Sequence, residues 1–143
     1  MKEYTTYHLV RPEDLNHHGT LFAGRAAELL IESAFTTAAI AVGNPRNLVC
    51  LNVHGMEFRS SVGNGEVVCF ASRIAYLGRT SITVHTVITS EISRINPVEG
   101  FVTFVHVDLA GAKAPHGLTL DAPADEREAE IRRRAADMAA QKR

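Results

Sequence analysis

Apolar and polar positions divide the chain into one long greasy segment flanked by strand-like runs. Residues 3–10, EYTTYHLV, are rich in Tyr, Thr and Val and predict a first strand that Pro12 ends. Asp14, Asn16 and Gly19 are turn residues, and Thr20 is placed to cap a helix. From Leu21 to Val42 there is no proline, and Gly24 is the only glycine. This stretch, LFAGRAAELLIESAFTTAAIAV, is apolar almost all round, the pattern of a helix buried on most sides. Its three charges are Arg25, Glu28 and Glu32. At ~100° per residue they fall within roughly 60° of one another and form a single polar stripe. Gly43-Asn44-Pro45 stops the helix.

Four further strands are predicted over 47–58, 66–78, 80–92 and 100–109. Gly63-Asn64-Gly65 and Gly78-Arg79 read as hairpin-type turns, and Asn96-Pro97 breaks the third of these strands from the fourth. One helix cannot cover both faces of such a sheet. The economical arrangement is one strongly curved antiparallel sheet wrapped around the helix, an α+β fold. A loop leads to a second helix over 124–141, on which Ile131, Ala135, Met138 and Ala139 share a face. Its acidic first turn and basic middle suit the helix dipole.

Composition narrows the function classes. The 143 residues, 45% hydrophobic, suffice for one domain with a core. A net charge of −1 provides no field that recruits nucleic acid or an anionic membrane. The basic run Arg132–Arg134 sits among Glu126, Glu128, Glu130 and Asp137, so it reads as a solvated or interface helix rather than a nucleic-acid patch. There is no secretory h-region and no apolar run long enough to span a bilayer, so a soluble cytoplasmic protein is expected. Cys50 and Cys69 lie in apolar strand-like runs and are expected to be buried free thiols. No Cys/His cluster has zinc spacing, and no metal is expected.

Four motifs occur in order: VRPEDLNHHGTLFAGRAAELLIESAF at 10–35, VHGMEFRSSVGNGEVV at 53–68, GRTSI at 78–82, and GFVTFVHVDLAGAKAP at 100–115. Together they resemble the hotdog acyl-CoA thioesterases, the branch of the broad-range bacterial enzymes and the brain acyl-CoA hydrolases. The resemblance covers 4–117 and implies a hotdog domain there, leaving 118–143 as linker and amphipathic C-terminal helix. It implies hydrolysis of acyl-CoA to a free carboxylic acid and coenzyme A by carboxylate-assisted water attack. No cofactor is implied, because coenzyme A is part of the substrate. The implied minimal unit is a homodimer whose sheets join edge to edge, and a hexamer built as a trimer of dimers is common in the family.

The same resemblance assigns roles. The amides of Ala23 and Gly24, at the helix N-terminus, would hold the oxyanion. Asn16 would orient water or the thioester. Glu32 would be the base, with Glu28 second, because Ile31 occupies the position where the family often carries its acid. The family's site lies between subunits, so Asn16 would act with Glu32 of the other chain. Arg59, Ser60, Ser61, Arg79, Thr80, Ser81 and Lys113 match turns that contact coenzyme A. Ala23 replaces the first of two family glycines, and Ser61 replaces a proline.

Other readings stand beside these. Asn16 by residue type is a turn residue holding the helix start. Glu28, three residues from Arg25, is placed for an ion pair, and Glu32 can pair at a subunit surface. His17 and His18 are candidate bases that the family does not require. His54, His85 and His106 fit ordinary sheet packing with a hydrogen bond. Ser33 is not in a nucleophile elbow, so no acyl-serine is expected. A non-catalytic acyl-CoA-binding module is the alternative function, ahead of a hydratase, for which DLNHHG at 14–19 offers residue types but no motif.

Overall fold

The computed structural model describes residues 1–141; Lys142 and Arg143, the end of the predicted 118–143 segment, lie outside the described residues. The elements are β1 (Tyr4–Leu9), α1 (Ala23–Val42), β2 (Leu48–Phe58), β3 (Val67–Leu77), β4 (Ser81–Ser90), β5 (Val98–His106) and α2 (Glu126–Gln141), with single 3₁₀ turns at Pro12–Asp14 and Pro45–Asn47. The strands form one antiparallel sheet in the order β1-β3-β4-β5-β2. The α+β expectation holds, with one long helix against a five-stranded sheet.

Strand alternation separates two faces. Val68, Phe70, Ile82, Val84, Ile88, Val102 and Phe104 pack with α1 in one buried cluster. From the helix come Ala26, Leu30, Ala34 and Ala38, every fourth residue, three of them small enough to let the sheet come close. Leu30 is fully buried, and truncating it to Ala would cost about 2–5 kcal/mol. On the other face, Ala75 and Phe101 meet Ala135, Ile131 and Met138 of α2. The apolar face expected on that helix is thus the docked one. Ion pairs flank it: Glu128 with Arg73 and Arg132, and Arg134 with Glu99 at 2.7 Å. Arg133 pairs outward with Glu126 and Glu130, so the basic run is neutralised by its neighbours.

Four expectations need correction. The 63–65 turn is not a hairpin. β2 lies at the far edge beside β5, and the chain crosses the end of the sheet to reach β3. Gly65 and Glu66 instead bond Val10. The helix begins at Ala23 with Phe22 as N-cap, not at Leu21 with Thr20. Thr20 and Leu21 are held extended by bridges to Gly63 and Leu15, and Leu21 N–H donates to Val62 O at 2.7 Å. α1 buries one side only; Glu28, Glu32 and Ile40 remain exposed in the single chain. Cys69 is buried, but Cys50, also a free thiol, is exposed, because an edge strand leaves part of its surface uncovered.

Candidate active site

The segment between β1 and α1 is a closed loop tied by its own backbone. Asn16 N–H donates to Thr20 O at 2.8 Å, and Gly19, at φ 77, donates to Asn16 O. A left-handed φ there suits glycine. The Asn16 side chain completes the turn: Oδ1 accepts from the amides of His18 (2.9 Å) and Thr20 (3.1 Å), and Nδ2 donates to Thr20 Oγ1 at 3.1 Å. Two backbone donors aimed at Oδ1 fix which side of the amide is oxygen. Asn16 therefore holds the turn and keeps one Nδ2 hydrogen for another acceptor.

A buried carboxylate anchors this loop, and its role was not foreseen. Asp14 accepts from Arg11 N–H at 3.0 Å, His8 Nε2 at 2.8 Å and Arg25 Nε at 2.9 Å. Burial alone would push its pKa up; the bonds from the Arg11 amide, His8 and Arg25 outweigh that and hold it at about 2. Asp14 O also accepts from Phe22 N–H at 2.8 Å, so the same residue positions the helix start. Arg25 then reaches Glu28 on its other side, which forms the ion pair expected from their spacing.

No side chain caps α1. Its N-cap Phe22 is extended, and the first intrahelical bond runs from Ala26 N–H to Phe22 O. The amides of Ala23, Gly24 and Arg25 belong to the first turn, whose donors have no intrahelical acceptor. Ala23 and Gly24 are exposed, and the Phe22 ring takes the place of a side chain on Gly24, with a ring carbon 2.5 Å from where a Cβ would stand. Amides so placed, at the positive end of a 20-residue helix, can bind an oxygen that is gaining negative charge.

The two helix carboxylates differ in position. Glu28 stands ~6 Å along the axis from Gly24, rotated by ~40°; Glu32 stands ~12 Å away, rotated by ~80°. Glu32 borders a recess of about 130 Å³ beside β1, with Tyr7, His8, Leu29, Ser33 and Thr36. Ile31 is rotated by ~20° the other way from Gly24, ~60° from Glu28 and ~100° from Glu32. It lies one turn from Phe35, whose ring meets Phe104 of β5 edge-on at 5.7 Å. Within one chain, then, Glu28 lies one turn and Glu32 two turns from Gly24, and the Asn16 turn lies in the loop that leads into the helix start.

The coenzyme A candidates fall into two groups. Arg59, Ser60 and Ser61 follow β2 at the end where α1 begins, and Arg59 pairs with Glu57 and Glu99. Arg79, Thr80, Ser81 and Lys113 lie at the opposite end. Ser81 pairs with Val105, and Lys113 bridges Val107, whose amide donates to Asn47 just before β2. An 11-residue strand, ~35 Å long, separates the groups.

The histidines take structural places. His54 Nε2 meets Thr103 Oγ1 at 2.9 Å, and His106 Nδ1 meets Ala114 O at 2.7 Å. His85 is buried 3.4 Å from Glu99, without hydrogen-bond geometry. His17 and His18 are exposed and stack on each other.

Comparison with known proteins places the chain. Residues 18–95 match the Thioesterase superfamily, and the chain belongs to it. It is 30% identical over 115 residues to the acyl-CoA thioester hydrolase YciA of Salmonella typhimurium, covering 75% of this chain and 84% of that one. It is 28% identical over 110 residues to the uncharacterized acyl-CoA thioester hydrolase YkhA of Bacillus subtilis, covering 74% of this chain and 63% of YkhA, less than two thirds of that relative's length. An apo hexameric acyl-CoA thioesterase superposes with a TM-score of 0.86 at 26% identity, over 97% of this chain and 89% of that one. The fold is the hotdog fold that the motifs implied.

Proposed function

We propose that this chain hydrolyses acyl-CoA thioesters to a free carboxylic acid and coenzyme A. The observation that carries the reading is an uncapped helix N-terminus with exposed Ala23 and Gly24, entered from the Asn16 turn and one helical turn from Glu28, in a chain of the Thioesterase superfamily. The thioester carbonyl accepts from the Ala23 and Gly24 amides. Glu28, in place of Glu32, takes a proton from water as its oxygen bonds to the carbonyl carbon. The free Nδ2 hydrogen of Asn16 binds the carbonyl or the water. Collapse of the tetrahedral intermediate breaks the C–S bond, and the proton on Glu28 goes to the departing thiolate. Water is the nucleophile and a thiolate leaves readily, so the reaction calls on no metal or cofactor.

A second copy completes the site. β2 is an edge strand with Val49, Leu51 and Phe58 each about half exposed, at 53%, 58% and 51%. Antiparallel pairing of two such edges covers them. It also sets the 79–81 turn and Lys113 of one copy beside the 59–61 turn and α1 start of the other. The two groups, far apart in one chain, then flank one coenzyme. A hexameric thioesterase of the same fold supports assembly of such dimers into a hexamer. No described helix is long and apolar enough to cross a membrane. Two free thiols, one exposed, suit the reducing cytoplasm.

The test is thiol release from straight, branched and aromatic acyl-CoAs. Turnover of at least one class is expected. Saturable acyl-CoA binding with no release from any would overturn hydrolysis in favour of a binding module.

A further inference from the structure

The turn between β3 and β4 is held by a side chain from a distant loop. Gly78 N–H donates to Ser81 O at 3.0 Å and closes the turn. A Cβ on Gly78 would collide with Ser81 Oγ, so the turn is tight. His116 Nε2 reaches two carbonyl oxygens of this turn, Gly78 O at 2.5 Å and Ser81 O at 3.1 Å. Carbonyls only accept, so Nε2 carries the proton and shares it between them. The other ring nitrogen agrees: Nδ1 accepts from Leu118 N–H at 3.0 Å, which fixes the tautomer. We propose that His116 is a positioning residue for coenzyme A, its Nε2–H holding the 78–81 turn in the shape that presents Arg79, Thr80 and Ser81 to the phosphates of the substrate.

The place of the imidazole is set independently of the turn. On one side of it, Ala114 N–H donates to His106 O at 3.0 Å and ties the loop to the end of β5. On the other, Leu118 and Leu120 pack against the core cluster beneath α1. The loop is thus a strap anchored at both ends, with His116 between the anchors. The remaining carbonyls of the turn are also engaged: Thr80 O accepts from His106 N–H at 2.7 Å, and Arg79 O from His116 N–H at 3.4 Å.

The side chains of the turn are left for a ligand. Arg79 is exposed, and its guanidinium makes no ion pair or hydrogen bond among the described residues. Lys113, on the strap itself, is likewise exposed and unpaired. A guanidinium, an ammonium and two hydroxyls suit phosphate oxygens. The assignment rests on the acyl-CoA reading and deepens it, because His116 acts on the substrate only through this turn.

Two substitutions separate the ring's two bonds. His116→Asn keeps an acceptor for the Leu118 amide, at the i+2 spacing that an asparagine side chain itself serves, and is too short to reach the turn. His116→Gln carries an NH₂ group about as far as Nε2 and can restore the donation. Isothermal titration of the full chain with coenzyme A should show binding weakened by about five- to tenfold in His116→Asn and by less than about threefold in His116→Gln. Thiol release should show the same rise in KM for acyl-CoA, with kcat within about twofold. The matching acyl-N-acetylcysteamine thioester lacks the nucleotide, and its kcat/KM should change by less than about twofold in either variant. Unchanged coenzyme A binding in His116→Asn would overturn the role of His116 and leave hydrolysis standing. So would equal losses on the full and truncated thioesters, the mark of general damage to the fold, or a His116→Gln as weak as His116→Asn. A wild type that binds no coenzyme A would overturn the acyl-CoA reading and this role together. The titration needs no turnover, so it reads the role of His116 in a wild type that releases no thiol.

Discussion

Replacing Asp14 by Asn keeps the shape of the side chain and removes its charge. The residue is 2% exposed and receives hydrogen bonds from a backbone amide, an imidazole and a guanidinium. Asparagine can accept at only one atom, so its NH₂ group would face one of these donors. The lowering of the Asp14 pKa from 3.8 to about 2 corresponds to about 2.5 kcal/mol of stability at neutral pH. Because the folded value is the lower one, this contribution is complete above the unfolded pKa and fades as pH falls through the folded pKa. At pH 3 about half of it remains. Urea unfolding of both proteins at pH 7 and pH 3 reads the difference. Asp14→Asn should be less stable by about 2–3 kcal/mol at pH 7, and the gap should shrink toward half at pH 3. A gap under about 0.5 kcal/mol at pH 7, or one equal at both pH values, would refute the view that a charged Asp14 anchors the loop.

Three further outcomes follow from the same geometry. Asn16→Ala should lower kcat by about 10²–10³ while costing only about 1 kcal/mol in urea unfolding, because it removes both a donor and a turn. Leu51→Lys, on the exposed edge of β2, should shift the protein toward monomer in sedimentation and reduce turnover in parallel. Gly55 sits at φ 59, and a Cβ there would lie 2.5 Å from Met138 Cε and 3.1 Å from Phe101. Gly55→Ala should therefore cost about 1–3 kcal/mol and speed proteolysis within α2, as seen by mass spectrometry of the fragments.

The sequence was informative wherever a local signal sufficed. Alternation located all five strands within a few residues, and Gly43-Asn44-Pro45 marked the end of α1, where Gly43 indeed adopts a left-handed φ. The errors arose where distant segments decide. Thr20 is a good cap by residue type, but its bridge to Gly63 holds it outside the helix. Gly63-Asn64-Gly65 looks like a hairpin, yet β1 occupies the place beside β3 and sends β2 to the other edge. Asp14 could be matched as a motif position, but its burial depends on β1 bringing His8 and on α1 bringing Arg25. The motif located the helix start and Asn16. The motif left Glu28 and Glu32 both open as the base, because local spacing does not show which carboxylate faces a thioester held between two copies.

The central claim is that water is activated one turn below the amides of Ala23 and Gly24. Steady-state thiol release by Glu28→Gln and Glu32→Gln, on the acyl-CoA that wild type turns over fastest, tests it most directly. Glu28→Gln should lower kcat by about 10²–10⁴ with little change in KM, and Glu32→Gln by less than about threefold. The reverse order would place the base in the recess beside β1 and contradict the account.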